Sequence, residues 1–313
     1  MKGGITNNEQ QFYLNGANLS GILSVNGGYT VNYSAINTIG VGYNKQVMAQ
    51  VPNGQVTVSK YLLYNEPFLN YTGEKADKTA SSLAGSIHYN NRCIGFTKGY
   101  LTSFSLSCSV GEVPKTSASI QVFGDFGKSL SNSGNAPRPY VSVPQIKDIS
   151  LTCNGSTTNR ITSFDYQINC PKKPIYALQN APASGPTGPS GPTNQISYIP
   201  VEVLAEMPIE INASVNMDID DYQVTTIYDQ ITSDTDVSFA VNIKGTLLAD
   251  QIAAVGNNIL STPAGPIGLG KVNNPPTIFS ASLSNMKLVS QEFSSTTDQF
   301  LSVKLGYKGY LIN

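Results

Sequence analysis

The feature that most constrains the fold is an unbroken alternation of apolar and polar residues from Val201 to Ile219. Every odd position in this run is apolar, and the even positions are mostly Glu, Asn, Ser and Asp. A period of two is typical of a β-strand that buries one face and exposes the other. The run is long for a single strand, and proline cannot donate to a strand ladder, so we expect an interruption at Pro208.

The composition favours a mainly β protein. The 313 residues include 28 Gly, 18 Pro and 17 Tyr, but no Trp, and only 12% of them are charged. Strand patterns bounded by turn residues recur along the chain, whereas helical patterns are confined to residues 74–83 and 246–260. The same signals predict hairpins at 101–126 and 279–312, and either a hairpin or a kinked strand at 47–63.

Three pairs of segments resemble each other in the same order. Residues 36–39 align with 175–178, 47–52 with 203–208, and 101–106 with 283–288, at offsets of 139, 156 and 182. The offset increases because the second copy has additional residues between the aligned segments. These additional residues have the composition of loops, where a duplicated fold tolerates insertions. A different alignment of the two copies is also possible, because Thr-Ser-Phe occurs at both 102–104 and 162–164. We expect an arm at 1–11, β domains at 12–127 and 145–313, a linker at 128–144 and an inserted loop at 179–195.

The distribution of charge is uneven. Between Lys173 and Lys244 there is no Lys or Arg, although nine acids lie there. Acids on a strand are ordinarily a solvated face, but so long an acidic block also suggests a shared electrostatic role. The net charge of −1 excludes strong bulk attraction to nucleic acid. Clustered acids at 218–221 and 234–236 leave calcium binding open, although the spacing of an EF-hand is absent.

Catalytic apparatus is missing from the sequence. His88 is the one histidine, and no motif for a nucleophile, a phosphate loop or a metal site is present. Carboxylate pairs could serve a glycosidase, but no Trp is available as a sugar platform. The four cysteines lack metal-site spacing and are predicted to be buried free thiols. We therefore expect no enzyme activity, no cofactor and no resident metal.

Targeting signals are also absent from the sequence. The first residues lack the apolar segment of a signal peptide, and no window matches the roughly 18 apolar residues of a membrane helix. We therefore expect a chain that is not exported by a signal peptide and has no membrane partner.

The duplicated β pattern resembles the tail tube (major tail) proteins of tailed bacteriophages. The resemblance lies in the blocks from Gly40-Val41-Gly42 through Leu69-Asn70-Tyr71-Thr72-Gly73 and in their partners from Ile175 to Ile219. It implies a mainly β fold of two tandem tube domains, each a sandwich or barrel-like unit with at most one short helix. In that family six domains form a ring whose inner sheets join into a barrel, and chains with two domains form trimeric, pseudo-hexameric rings.

The resemblance also implies a role, a location and partners. The chain would be a virion protein of the tail, assembled in the host cytoplasm into stacked rings through which double-stranded DNA passes during ejection. Other tail proteins, such as the tape measure and the tail terminator, would be partners. A lumen that lets DNA pass should avoid phosphate contacts. The residues expected to face it are Glu202, Glu206, Glu210, Asp218 and Asp220 from the second domain and Gln50, Thr57 and Ser59 from the first.

The sequence is also compatible with two alternatives. Baseplate hub and distal tail components reuse tube domains, although they usually carry additional ones. A surface adhesin or receptor-binding protein would also be β-rich and rich in Tyr, Asn and Ser, but should show a trimeric stalk or an exposed aromatic patch. Electron microscopy of the purified protein distinguishes the tube from the adhesin, because only the tube should show rings with a central bore.

Overall fold

The structure is a computed structural model that describes most of the predicted β segments. It covers residues 10–35, 47–49, 51, 53–62, 66–72, 80–89, 92–124, 126–128, 149–153, 156–157, 161–176, 200–218, 236–244, 277–295 and 301–310. Within these ranges nearly all regular structure is antiparallel β-strand, so the prediction of a mainly β fold is confirmed. The described part of the chain contains no helix that is long and apolar enough to cross a membrane.

In the first half of the chain the described residues form ten strands and a short 3-10 helix at Pro67–Tyr71. The strands are β1 (Gln10–Leu14), β2 (Ala17–Leu19), β3 (Ile22–Thr30), β4 (Tyr33–Ala35), β5 (Val47–Ala49), β6 (Asn53–Tyr61), β7 (Leu83–Tyr89), β8 (Arg92–Ser109), β9 (Lys115–Val122) and β10 (Phe126–Lys128). Strand β1 begins at Gln10, inside the segment predicted to be an arm.

Nine more strands lie in the described residues of the second half. They are β11 (Ile149–Cys153), β12 (Ser156–Thr157), β13 (Ile161–Asn169), β14 (Lys172–Ile175), β15 (Glu202–Ala205), β16 (Glu210–Asp218), β17 (Val237–Lys244), β18 (Thr277–Ser294) and β19 (Ser302–Tyr310). Strands β15 and β16 come from the long alternating run, which breaks between them at Pro208 as predicted.

Eight strands form a continuous ladder in the order β3-β6-β9-β8-β13-β16-β19-β18, and every neighbouring pair is antiparallel. The amino-terminal part of β8 also pairs with β7, which leads through β1 to β2. The amino-terminal part of β18 pairs in the same way with β17, which leads through β11 to β12. The pairs β4–β5 and β14–β15 form two small separate sheets.

The pairing scheme of β1–β9 recurs in β11–β19. Equivalent ladders superpose at an offset of 139 for residues 10–35, so that the bulge at Leu23 in β3 falls on the bulge at Thr162 in β13. The offset is 157 from β6 to β16 and 187 from β8 and β9 to β18 and β19. At this last offset the left-handed residue Lys98 (φ 47) coincides with Asn285 (φ 57). The β-strand topology of the chain is therefore duplicated.

The registers of the strand pairs give offsets that can be compared with those of the three aligned segments. Offsets of 139 and 156 carry the pair Tyr33–Ala49 onto the pair Lys172–Ala205, in agreement with the first two alignments. The third alignment is wrong by five residues, because Leu101 corresponds to Leu288 and not to Leu283. The error arises because residues 101–106 and 283–288 both begin and end with leucine, so that a short match places Leu101 on Leu283.

One buried hydrophobic cluster runs through both halves. It contains Val58 and Phe104 from the first half and Val215 and Leu305 from the second, each no more than 2% exposed. In the alternating run the odd residues from 203 to 215 are buried as predicted, except Met207, whereas Val201 at its start is 74% exposed.

Several other predictions have definite outcomes. The hairpins β8–β9 and β18–β19 are present. Residues 47–63 do not form a hairpin, because β5 pairs with β4 while β6 pairs with β3 and β9. The helix predicted at 74–83 falls mostly outside the described residues, and its last residue, Leu83, begins β7. The helix at 246–260, the loop at 179–195 and nearly all of the linker at 128–144 also lie outside the described residues.

Candidate assembly surface

The eight-stranded ladder has one face that is almost entirely polar. We call this the polar face; it is opposite the side that carries Val56, Val58 and the other core residues. Its residues follow from the register, since directly opposed residues of neighbouring strands point to the same side. Its central part consists of Thr57, Ser59, Ser105, Ser117, Ser119, Asp165, Gln167, Asn212, Ser214 and Asn216.

Hydrogen bonds cross from strand to strand on this face. The Ser59 hydroxyl donates to Ser117 Oγ (3.4 Å), and the Asn216 amide donates to Ser163 Oγ (2.6 Å). The Ser214 hydroxyl donates to the Asp165 carboxylate at 3.3 Å. Such cross-strand contacts between short polar side chains stabilise a sheet modestly and keep the side chains close to the surface.

Acids and lysines both occur on the polar face. They are Asp165, Glu210, Asp218 and Glu292, and Lys115, Lys287, Lys304 and Lys308. Each lysine lies beside an acid: Lys115 pairs with Glu112 (2.8 Å), Lys287 with Asp236 (3.0 Å) and Lys308 with Glu210 (2.7 Å), while Lys304 is directly opposite Glu292. The face is thus charge-balanced and not acidic.

Glu210 illustrates this balance. It accepts hydrogen bonds from Lys308 and Asn212, and these bonds lower the pKa of its carboxyl. Lys308 on β19 is directly opposite Asn212 on β16 and is therefore diagonal to Glu210. The acidic block is a feature of the sequence, whereas in the structure Glu210 pairs with Lys308 of β19 and Asp236 pairs with Lys287 of β18. The alternation of β19, with Lys304 and Lys308 on one side, was the signal that could have found Lys308.

The structure brings together four of the eight residues predicted to line a lumen. Thr57, Ser59, Glu210 and Asp218 lie on the polar face. Glu202 and Glu206 are exposed but lie on and just after β15, in the small β14–β15 sheet. Gln50 and Asp220 are outside the described residues.

The ladder ends at β3 on one side and at the carboxyl-terminal part of β18 on the other. Among the described strands, β3 pairs with β6 alone, and residues 287–294 of β18 pair with β19 alone. Large apolar side chains are exposed here: Leu23 (44%) on β3, and Val289 (61%) and Phe293 (53%) on β18. Exposed apolar strand edges favour pairing with another chain.

Buried polar groups in the first half have structural partners. The Lys60 ammonium contacts the Glu66 carboxylate at 2.5 Å, and the Thr116 hydroxyl lies 3.4 Å from the same carboxylate. Glu66 also caps the 3-10 helix by accepting from the main-chain N–H of Phe68. This cluster therefore fixes the helix against β6 and β9.

The residues whose side chains are described include three of the four cysteines and the one histidine. Cys108 and Cys170 are buried and free as predicted, whereas Cys93 is half-buried. Burial raises the pKa of the Cys108 thiol to about 12 and that of Cys170 to about 11, so both are protonated at neutral pH. His88 lies 2.9 Å from the Ser86 hydroxyl and packs edge-on against Tyr13.

No cluster of three or more potential metal ligands is present in the described part of the chain. A scan against models of protein families finds no family that matches this chain, and a search of curated proteins finds no match either. The geometry of the polar face and of the two ends of the ladder is therefore the basis on which a function can be argued.

Proposed function

We propose that this chain is a structural virion protein that assembles into stacked rings and forms the tail tube of a bacteriophage. The polar face of the eight-stranded ladder would line the bore. The observation that carries the proposal is the ladder itself: two equivalent four-stranded units, β3-β6-β9-β8 and β13-β16-β19-β18, share one continuous, charge-balanced polar face.

The chemistry of the face suits a conduit for DNA. Protein affinity for duplex DNA comes largely from Lys and Arg contacts to phosphates. On the polar face the lysines are paired with or opposed by acids, and the intervening positions are hydroxyls and amides. Such a surface stays hydrated and offers no net positive charge to hold a passing duplex.

The duplication suits a ring. We propose that residues 12–127 and 145–313 act as two tandem tube domains, so that three chains supply six equivalent four-stranded units. Closing these units into a barrel would remove the exposed edges at β3 and β18. In this arrangement the sheets that contain β7-β1-β2 and β17-β11-β12 lie outside the bore.

The first experiment is negative-stain electron microscopy of the purified protein over a range of concentrations. We expect rings or stacked tubes with a central hole. Compact monomers at every concentration, or an elongated trimer without a bore, would overturn the proposal, and the trimer would favour an adhesin.

A second experiment tests the role of the polar face. Assembled wild-type tubes should not retain duplex DNA at moderate salt, whereas the variant Thr57→Lys should retain it with a strong salt dependence. Ser82→Lys adds the same charge at an exposed position just before β7 and is the matched control. If Ser82→Lys retains DNA as well as the polar-face variant does, the polar face does not line the bore.

A further inference from the structure

Within one chain the two halves are joined by a ladder that we call the seam. Residues 103–109 of β8 pair with residues 163–169 of β13, from Ser103 opposite Asn169 to Ser109 opposite Ser163. On the core side of the seam, Leu106 (1% exposed) is directly opposite Tyr166 (5% exposed). The seam is therefore a fully formed junction between one four-stranded unit and the next, and its core side is buried.

The strands that correspond to the two sides of the seam are β18 and β3. The offset of 187 carries β8 onto β18, and the offset of 139 carries β3 onto β13. The edge of β8 that meets β13 thus has its counterpart in residues 290–294 of β18. These are the same two strands that end the eight-stranded ladder.

Side chains are buried at the seam, where β8 pairs with β13, but exposed at the corresponding edge of β18, which has no such partner among the described strands. Phe293 occupies the position of Leu106, yet it is 53% exposed. Its partner in the corresponding register is Gly27, which takes the place of Tyr166. A large residue and a glycine here replace the Leu106–Tyr166 pair.

Aromatic and aliphatic side chains lie beside Gly27. A Cβ added at Gly27 would lie 3.3 Å from both Phe126 Cζ and Val56 Cγ2, on the core side of β3. The Phe126 ring stacks on Tyr29 with a centroid separation of 5.6 Å. A phenylalanine side chain arriving opposite Gly27 would therefore contact these aromatic and aliphatic groups and lose its exposure to water.

We infer that residues 290–294 of β18 in one copy pair antiparallel with β3 of a second copy, in the register of the seam. Asn26 is then opposite Ser294 of the neighbour, and Gly27 is opposite its Phe293. The inference rests on the self-assembly proposed above and adds the edges and the register by which copies join. Because the contact is head-to-tail, each copy offers one β18 edge and one β3 edge, and a closed ring leaves neither edge open.

Cysteine cross-linking tests the register. Opposed residues in an antiparallel ladder have Cβ atoms about 4.5–5.5 Å apart, within reach of a disulfide after small adjustments. The variant Asn26→Cys/Ser294→Cys should give covalent oligomers on mild oxidation, seen on a non-reducing gel. Each single variant should stay monomeric on the same gel, which controls for the natural cysteines.

Two further variants make the test selective. Ser107→Cys/Asp165→Cys places the same pair in the seam, so its disulfide should form within one chain. Asn26→Cys/Ser290→Cys moves one partner four residues along the strand, about 13 Å away, and should not cross-link. If the wild-type protein forms rings and the seam pair oxidises, but Asn26→Cys/Ser294→Cys gives no covalent oligomer, the edge pairing is wrong and the tube proposal stands. If the wild-type protein forms no assembly at any concentration, both fall.

Discussion

Equivalent positions in the two halves of the chain carry polar side chains in one half and apolar side chains in the other. Lys60 and Thr116 are buried in the first half, and their counterparts in the second half are Met217 and Val303. The strand partners confirm the equivalence, since Lys60 is opposite Ile22 and Met217 is opposite Ile161. The same ladder thus accommodates a buried ion pair in one copy and apolar side chains in the other.

This comparison shows which interactions strand pairing requires and which belong to one half alone. Pairing and register are the same around Lys60 and Met217, so the ion pair is not required for the strands to meet. In the first half the pair holds Glu66, which caps the 3-10 helix and precedes the fully buried Phe68. A buried ion pair is costly to desolvate and is a weak source of net stability, so its effect here is to fix the position of the helix.

The largest effect is expected from breaking this pair on one side. Lys60→Met introduces the residue found at the equivalent position and leaves the Glu66 carboxylate buried without its ammonium partner. Removing one member of a buried pair typically costs about 3–5 kcal/mol. Urea denaturation of the two proteins measures the difference.

The matched variant is Lys60→Met/Glu66→Gln/Thr116→Val, which removes the charge together with its partner. It should recover most of the lost stability, because well-packed apolar replacements of a buried ion pair are often neutral or stabilising. If the triple variant is as unstable as Lys60→Met, the two halves are not interchangeable at this position.

The next largest effect compares the seam with its open counterpart. Leu106→Ala removes a side chain that is 1% exposed and should lower the free energy of unfolding by about 2–5 kcal/mol. Phe293→Ala, at the equivalent position, should leave the stability of the monomer nearly unchanged, because Phe293 is 53% exposed. The same variant should weaken assembly about tenfold or more, since burying a phenylalanine contributes about 1.5–3 kcal/mol. Unfolding of the dilute protein and sedimentation of the concentrated protein measure the two quantities, and a large loss of monomer stability in Phe293→Ala would contradict the equivalence.

A smaller effect is expected from pH, again because one position differs between the halves. Burial, with a further contribution from the Asp165 charge, raises the pKa of Cys108 to about 12, whereas the equivalent residue in the second half is the exposed Ser295. The folded protein keeps a proton that the unfolded chain releases above its ordinary pKa of about 8.5. Stability should therefore be unaffected by this group below that pH and fall as the pH rises towards 12, by at most about 1.4 kcal/mol per pH unit.

The check is the slope of stability against pH, not its absolute value. Burial also raises the pKa values of Cys170 and Tyr166, so the wild-type slope has several contributors. Cys108→Ala should reduce the slope between pH 9 and 11 without abolishing it. An unchanged slope would mean that Cys108 does not titrate differently on unfolding.

The sequence predicted the fold where pattern and spacing were undisturbed. The alternation around Pro208 gave the faces of β15 and β16, and the offset of 139 was found because residues 10–35 and 149–174 match without an insertion. In β8 the prediction failed, because a six-residue match with leucine at both ends paired Leu101 with Leu283 instead of with Leu288.

Long-range pairing was the part that the sequence did not supply. The seam joins residues about 60 positions apart, and no local pattern in β8 indicates that β13 will be its neighbour. The same limit applies to charge. Glu210 was predicted within an acidic block, but its partner Lys308 becomes adjacent only through the β16–β19 ladder. Residue types on a strand are local information, whereas the neighbour across the ladder is not.

The smallest effect is expected from the charge balance of the polar face. Lys308→Gln removes the cation beside Glu210 but leaves the Asn212 amide as a hydrogen-bond donor to that carboxylate. Exposed ion pairs contribute little, so the melting temperature of the monomer should not change measurably. The pKa of Glu210 should rise towards its ordinary value, because the largest cause of its lowering is the hydrogen bond from Lys308. Titration of the Glu210 carboxyl by NMR checks this, and an unchanged pKa would show that the hydrogen bond from Lys308 does not lower it.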